Sequence, residues 1–256
     1  MWFRNDLRVH DNPALFHACR QPNQVIGLAC LTQEQWHKHG LGERKWQLLI
    51  NSLHELRSSL ESLNIPLLVI NSSTFANSVE EIKQLITYFN KHQVAIDSVH
   101  FNIEYEVNER KRDIELQRWC RSNNIEVYKF HDQCVIPPGE VTTKQDLPFK
   151  VYTPFKKAWW QRFEQYQHAP LSKPKQRSAI VPELKKLLAF SQQLPAQVKD
   201  DLWPCSEHQG HQRLQDFLDQ NACYYADERD FPAKPSTSQL SYALSLGLLS
   251  PRQCLY

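Results

Sequence analysis

The sequence lacks any uninterrupted apolar run close to the ~18 residues that a membrane-spanning helix requires. Its start, Met1-Trp2-Phe3-Arg4-Asn5-Asp6, lacks the apolar core of a secretion signal. Both absences argue against membrane insertion and against secretion, so we expect a cytoplasmic location.

Paired cysteines at metal-ligand spacing are also missing. The seven cysteines, at positions 19, 30, 120, 134, 205, 223 and 254, are scattered, and none forms a C-x-x-C pair. His37-x-His39 and His208-x-x-His211 have no cysteine or carboxylate partner at a convincing spacing. We therefore expect no metal site, and reduced thiols that act as small core residues.

Glycine is scarce, with only 6 residues in 256, which excludes collagen-like and glycine-rich linker proteins. Neither G-x-G-x-x-G nor a Walker A sequence occurs, so the common glycine-rich phosphate loops are absent. The formal net charge of +2 neither requires nor excludes a nucleic-acid partner. Basic runs occur at 110–112, 156–157 and 173–177, and such runs are typical of solvated faces.

The apolar content, 41% of residues, suffices for a folded core, and the length fits one large domain or two ordinary ones. Over the first 130 residues, short apolar runs alternate with helical periodicity. The runs predict strands at residues 2–3, 25–31, 67–70, 98–101 and 125–130. A clear helical stripe lies between the second and third runs: Trp46, Leu49, Ile50, Leu53, Leu56, Leu60 and Leu63.

Helix starts are indicated by capping residues. Asp11-Asn12-Pro13 opens the first helix, and Ser78 with Glu81 has the spacing of a capping box. Asn108 is predicted to cap a helix with Ile114 and Trp119 on its inner face. This β-α alternation predicts a parallel sheet with helices on both faces, and ligands beyond the carboxyl ends of the strands. The order of the strands cannot be derived from one sequence.

The pattern changes after residue 131. Pro137-Pro138-Gly139 begins an irregular, proline-rich stretch, and helical periodicity returns from Gly210. We predict an α/β domain over residues 1–131, a connector laid over a surface at 132–204, and the start of a helical domain at 205–256.

Four groups of residues carry a family resemblance. The segment 2–15, which reads WFRNDLRVHDNPAL, resembles the N-terminal signature of the DNA photolyase and cryptochrome family. Residues 105–110 (YEVNER) are similar to the family's folate-antenna motif, and residues 154–159 (PFKKAW) to its TPF-K-W segment. Residues 229–232, 237–241 and 249–253 resemble the entry to its flavin-binding domain.

This resemblance spans the chain and is greatest to the bacterial class I cyclobutane pyrimidine dimer photolyases. It implies a Rossmann-like parallel sheet with helices on both faces, followed by the connector and the beginning of an all-helical flavin-binding domain. It also implies light-driven repair of DNA by reduced FAD with a 5,10-methenyltetrahydrofolate antenna, damaged DNA as partner, no membrane, and a monomer. The alternatives are a cryptochrome-type photoreceptor and a stand-alone folate- or nucleotide-binding α/β module.

The resemblance places a folate contact at His39, Asn108 and Glu109. A carboxylate can accept two parallel N–H bonds from a pterin edge. Each residue also has a simpler interpretation: Asn108 as a helix cap, Glu109 as an acidic residue that complements the helix dipole, and His39 as a surface histidine.

The same resemblance assigns flavin contacts to Tyr225, Thr237, Ser238, Gln239, Leu240 and Ser241. Hydroxyl groups suit the phosphates of a dinucleotide, although Gln239 stands where relatives often carry a basic residue. The simpler interpretations are helix caps and, for Tyr225, a half-buried aromatic ring. Arg229 matches a residue implicated in DNA contact; alternatively it pairs with Asp227 or Asp230.

Two departures from the family pattern qualify this assignment. Only Met1 precedes the Trp-Phe-Arg sequence, and the family's later helices, which hold most of the flavin and lesion pocket, are not in this sequence. We therefore expect an N-terminal portion that contains no catalytic residue and is inactive by itself.

Overall fold

A computed structural model describes residues 1–165, 169–188, 191, 193–198 and 203–256. Within them it has five strands: β1 (Trp2–Phe3), β2 (Gly27–Leu31), β3 (Leu67–Asn71), β4 (Ser98–Asn102) and β5 (Glu126–Phe130). Its helices are α1 (Pro13–Arg20), α2 (Gln33–Lys38), α3 (Glu43–Glu61), α4 (Phe75–Lys91), α5 (Val107–Ser122), α6 (Tyr152–Glu164), α7 (Pro182–Leu187), α8 (Glu207–Gln220), α9 (Tyr225–Glu228) and α10 (Ser241–Leu246). No helix of these described ranges is long and apolar enough to cross a membrane.

All the strand pairs are parallel, as predicted. β1, β2 and β3 form one hydrogen-bonded sheet in that order, and β4 pairs with β5 in a second. β4 lies next to β1 without a hydrogen-bonded ladder between them, and the Trp2 and Phe101 rings meet edge to face with centroids 6.2 Å apart. Side by side, the strands run β3-β2-β1-β4-β5, the order of the first five strands of a six-stranded Rossmann fold.

Helices cover both faces of this arrangement. Phe3, Ala29 and Leu31 belong to one apolar cluster with α1 and α3. Trp2 of β1 and Phe101 of β4 belong to a second apolar cluster, with α4 and α5. Successive side chains of a strand point to opposite faces, so β1 and β2 each contribute to both clusters. The predicted α/β class is confirmed.

The stripe predicted between the second and third strands is fully buried. All seven of its residues, from Trp46 to Leu63, are less than a tenth exposed, and they pack toward the sheet on α3 and just beyond it. Burial of one leucine side chain stabilises a fold by roughly 1.5–3 kcal/mol, so this stripe anchors the first cluster.

The predicted caps are partly wrong. Asn12 does cap α1, since its side chain accepts the Leu15 N–H at 3.1 Å. The capping box at Ser78 does not exist: α4 begins one turn earlier, where Thr74 accepts the Asn77 N–H at 3.2 Å. Several polar residues near a helix start can compete for the cap, and the sequence alone did not rank them.

Asn108 is not a cap either. α5 begins at Val107 with Glu106 in the cap position, which leaves Asn108 inside the first turn. Ile114 points outward and is 43% exposed, whereas Leu116 and Cys120 face the core. The buried face of α5 differs from the predicted one because it also carries two charged residues, Arg112 and Asp113, which are described below.

The described residues of the proline-rich stretch follow the surface of the α/β part. The Arg177 guanidinium donates to the carbonyl oxygens of Cys19, Gln21 and Asn23. The Leu171 N–H donates to Asp11 Oδ1 at 2.8 Å. The stretch also contains α7, which the sequence analysis did not predict.

The C-terminal helices pack against the loop that follows β1. Leu7 N–H donates to Leu246 O at 3.1 Å. Arg252 pairs with Asp11 at 3.0 Å and with Asp132 at 2.8 Å, all three largely buried. Gly247 has φ 67° and lies so close to this loop that a Cβ there would be 2.2 Å from the Asn5 carbonyl oxygen. Only glycine can occupy that position without displacing the backbone.

Candidate cofactor sites

The carboxyl ends of β1 and β4 carry a network of buried charges. Arg4, just after β1, pairs with Asp113 of α5 at 2.6 Å, and its guanidinium also donates to the Asn102 carbonyl at the end of β4. Arg112 pairs with Glu104 at 2.7 Å and with Asp113 at 2.9 Å. Arg112 is only 7% exposed, so the prediction that 110–112 form a solvated basic run is wrong for its last residue.

Two carboxyl groups at this edge respond differently to burial. Burial opposes ionisation of Glu104, but the guanidinium groups of Arg4 and Arg112 outweigh it and hold its pKa below the usual value. For Asp6 burial is the dominant cause and raises the pKa to about 6. The ionised Glu104 therefore depends on its two arginines.

Glu109 lies beside this network and is not part of it. It lines a small cavity of about 50 Å³ together with Phe75, Glu104 and Arg112. Its carboxylate forms no ion pair with any residue in the described ranges, and burial raises its pKa. Glu109 is thus a half-buried carboxylate whose oxygens are available to N–H donors from a ligand.

The other two antenna candidates differ in their relation to this cavity. The His39 ring meets Phe75, which lines the cavity, edge to face at 6.2 Å, and its Nε2 is 2.9 Å from the Gln35 amide nitrogen. Asn108 is exposed on the outer side of α5 and does not line the cavity. The fold therefore brings His39 and Glu109 toward one opening and leaves Asn108 at its margin.

A much larger cavity, about 760 Å³, lies at the opposite edge of the sheet. Residues of both faces line it, among them Trp2 and Leu28 on one side and Ala18 and His100 on the other. None of the candidate residues, all of which lie in the described ranges, contributes to it. Volume therefore does not identify the candidate site in this molecule.

The flavin candidates gather around one face of α8. Phe217 of this helix meets the Tyr225 ring edge to face at 6.0 Å. One turn earlier, Arg213 donates to the Gln239 side-chain oxygen at 2.8 Å. Residues four apart lie on the same side of a helix, so α8 places Tyr225 and the 237–241 segment on a common surface.

The segment 237–241 offers three hydroxyl groups. Thr237, Ser238 and Ser241 make no side-chain hydrogen bond to any described residue, and Ser241 begins α10. Leu240 is buried and anchors the segment, while Gln239 has φ 51° and is exposed. The hydroxyls are not used as caps, so they are available to a ligand.

Arg229 lies at the edge of this surface. Its guanidinium carbon is 5.8 Å from the Tyr225 ring centroid, and its Nε is 3.9 Å from Asp230. Arg229 is 54% exposed, and such a surface pair contributes little to stability. Of the two alternative partners in the sequence analysis, the structure pairs Arg229 with Asp230.

Sequence reasoning missed the residues that hold these sites in place. The place of the charge network could have been anticipated from the rule that ligands of parallel sheets bind at the carboxyl ends of the strands. Arg213 had no detectable signal, because its partner Gln239 is 26 residues away in the sequence.

His211 lies beside His10 and Glu207, with one ligand atom of each residue within 4.8 Å of the others. These atoms already have protein partners. The Gln253 amide contacts both histidine rings, at 3.2 and 3.1 Å, and Glu207 accepts the N–H groups of Val9 and His10. The three residues join the N-terminal loop to α8.

The comparisons with known proteins agree with one another. Residues 1–175 match a family model described as DNA photolyase. The whole chain is 38% identical to a deoxyribodipyrimidine photo-lyase of Escherichia coli and 35% identical to one of Vibrio cholerae, and covers 53% and 54% of them. The chain thus spans about half the length of the curated relatives it matches.

Solved structures show the same relation. A class III photolyase from Agrobacterium tumefaciens superposes with a TM-score of 0.74 at 29% identity, over 99% of this chain and 51% of that one. A photolyase from Sulfolobus tokodaii, whose structure contains two FAD molecules, gives 0.71 at 23% identity, over 100% and 53%. At that identity the second likeness concerns the fold alone.

Proposed function

Since the chain belongs to the DNA photolyase family, we propose that it is part of an enzyme for light-driven repair of cyclobutane pyrimidine dimers in DNA. In this proposal residues 1–131 form the antenna domain, 132–204 the connector, and 205–256 the start of the helical flavin-binding domain. The observation that carries it is the match of the entire chain, at 35–38% identity, to deoxyribodipyrimidine photo-lyases.

The carboxyl-edge cavity is proposed to receive the pterin end of a folate antenna, with Glu109 accepting its N–H groups and His39 and Asn108 at the rim. The fit rests on a half-buried carboxylate that pairs with no cation of the described residues, beside an opening lined by Phe75 and Arg112. The cavity is too small to enclose a ring system, so the ligand would lie across its mouth. When bound, the folate supplies the absorbed light energy.

The α8 surface is proposed to hold one side of FAD. Thr237, Ser238 and Ser241 would donate to its phosphates, and Tyr225 would pack against it, while Gln239 and Leu240 shape the segment. Arg229, exposed at the margin, would contact a DNA phosphate. The flavin supplies the electron for repair, and the described residues bind and position it.

The test of this function uses the purified gene product, its intact mass, its absorption spectrum, and DNA that contains thymine dimers. We expect flavin and folate absorption bands, and dimer cleavage under blue light that is absent in the dark. A flavin-bound product that cleaves no dimer would contradict repair and favour a photoreceptor. A product with no flavin band would contradict repair as well and favour a folate- or nucleotide-binding module.

The 256-residue chain by itself is expected to bind FAD weakly and to repair nothing. In the described ranges Tyr225, Phe231 and Leu244 remain more than a third exposed around the proposed flavin surface. Tight FAD binding by this chain, measured by fluorescence titration, would contradict that expectation.

The antenna site has its own test on the same chain. Glu109→Gln is expected to weaken binding of 5,10-methenyltetrahydrofolate by roughly tenfold, because it replaces charge-assisted hydrogen bonds with neutral ones. Glu115→Gln on the exposed side of the same helix is the matched control and should leave binding unchanged. Equal affinities for both variants, measured from the folate absorption band, would remove Glu109 from the site.

A further inference from the structure

The guanidinium of Arg213 is held beside the 237–241 segment by two contacts. Its Nη1 donates to Gln239 Oε1 at 2.8 Å, and its central carbon is 5.7 Å from the Tyr242 ring centroid. Gln239 and Tyr242 lie on either side of Leu240 and Ser241, so the cation lies against the part of the segment that carries free hydroxyls.

The charge of Arg213 is not neutralised locally. No carboxylate in the described ranges lies within ion-pair distance of its guanidinium. The side chain is half-buried, and one of its five N–H groups is used by Gln239. Most of its donors, and its full positive charge, are therefore available to an anion.

The neighbouring hydroxyls complete a donor set for phosphate. Thr237, Ser238 and Ser241 have no hydrogen-bond partner among the described side chains, and all belong to the segment that Arg213 touches through Gln239. Phosphate oxygens prefer a planar guanidinium together with neutral O–H donors, because the guanidinium supplies both charge and directed hydrogen bonds.

From this geometry we infer that Arg213 is a binding residue for the diphosphate group of the dinucleotide, and that it supplies from α8 the positive charge which Gln239 does not. The inference rests on the proposed function, which places a flavin dinucleotide on this segment. In this role Arg213 contacts the phosphates and no reacting atom of the flavin.

The test follows inorganic pyrophosphate binding to the 256-residue chain by NMR, from the amide signals of residues 237–241 at low ionic strength. We expect saturable shifts for the wild type. Arg213→Gln should weaken binding at least fivefold and reduce its dependence on NaCl, because one cation is lost. Arg118→Gln, on the exposed side of α5, is the matched control and should not change the affinity.

The decisive variant exchanges the two residues, Arg213→Gln together with Gln239→Arg. It retains one arginine-glutamine pair at the same place and should restore affinity to within about twofold of the wild type. A merely structural role for Arg213 predicts no such rescue of pyrophosphate binding.

The outcomes separate the two proposals. If wild type and Arg213→Gln bind pyrophosphate equally, the role of Arg213 is wrong while the flavin site stands. If Arg213→Gln binds pyrophosphate weakly but the exchanged variant folds and does not regain affinity, the argument that the positive charge determines binding is wrong. If the wild type shows no saturable shift, both the phosphate site and the role of Arg213 are wrong.

Discussion

The two edges of the sheet differ in what fills them. At the carboxyl edge, Arg4, Glu104, Arg112 and Asp113 interlock, and the space left is about 50 Å³. At the amino edge a cavity of about 760 Å³, lined mainly by apolar side chains, lies between β2 and β4. The tightly filled edge carries the candidate antenna residues, and the loosely filled edge carries none.

The two edges also differ in strand pairing. β1 pairs with β2 over only Trp2 and Phe3, whereas β2 pairs with β3 over five residues. Met1, Leu28 and Val99 line the large cavity beside the amino end of β1. A large volume thus brings no particular chemistry to this edge, while a small opening beside aligned charges has the chemistry of a ligand site.

The largest expected effect is loss of the charge network at the carboxyl edge. Arg112→Met removes a buried partner of Glu104 and Asp113 and should lower the free energy of unfolding by about 3–5 kcal/mol, because two carboxylates lose a counter-ion. Urea denaturation measures this change. Arg118→Met on the exposed side of the same helix should cost less than about 0.5 kcal/mol, and equal losses for the two variants would contradict a special role of the network.

The next effect concerns the glycine packed against the loop after β1. Gly247→Ala should cost about 3 kcal/mol, since it adds the strain of a positive φ and a Cβ that collides with the backbone of Asn5 and Asp6. Gly139→Ala is the control: Gly139 also has a positive φ, 94°, but nothing lies within 4 Å of its Cβ position. It should cost only about 1 kcal/mol. Similar thermal shifts for both would show that close approach is unimportant.

At the amino edge the expected effect depends on pH. Burial lowers the pKa of the Met1 amino group from 8.0 to about 6, and its N–H donates to Ile26 O at 2.8 Å. The folded chain therefore releases this proton more easily than the unfolded chain does. Its stability should rise by about 2.5 kcal/mol between pH 6 and pH 8, with the full penalty present below pH 6.

Acetylation of the Met1 amino group removes this titration. Urea denaturation at several pH values should then show a stability difference between acetylated and free chains that is largest below pH 6 and vanishes above pH 8. A difference that does not vary with pH would mean that the amine is not buried at this edge.

The smallest effect returns to the carboxyl edge. Glu109→Gln should change the free energy of unfolding by less than about 0.5 kcal/mol, because Glu109 forms no ion pair with any described residue. A loss above about 2 kcal/mol in urea denaturation would place Glu109 within the structural network and weaken its assignment as a ligand contact.

Much of the α/β part could be predicted from local patterns. The stripe from Trp46 to Leu63 and the runs that became β2 to β5 follow from periodicity, because burial of one face dominates their energetics. Caps at Ser78 and Asn108 were wrong, since a cap contributes only about 1 kcal/mol and nearby polar residues compete for it. Ile114 pointed outward for a related reason: Arg112 and Asp113 take the inner positions of α5 to meet Arg4 and Glu104.

The sequence by itself determined the class of fold, the parallel direction of the strands and the motifs that mark the family, because these depend on periodicity and on residues close together in the chain. Tertiary structure alone decided which edge of the sheet is filled, that Arg112 is buried, and that Arg213 meets Gln239. Those outcomes depend on contacts between residues distant in the chain, whose free energies depend on burial and on the charges that surround them.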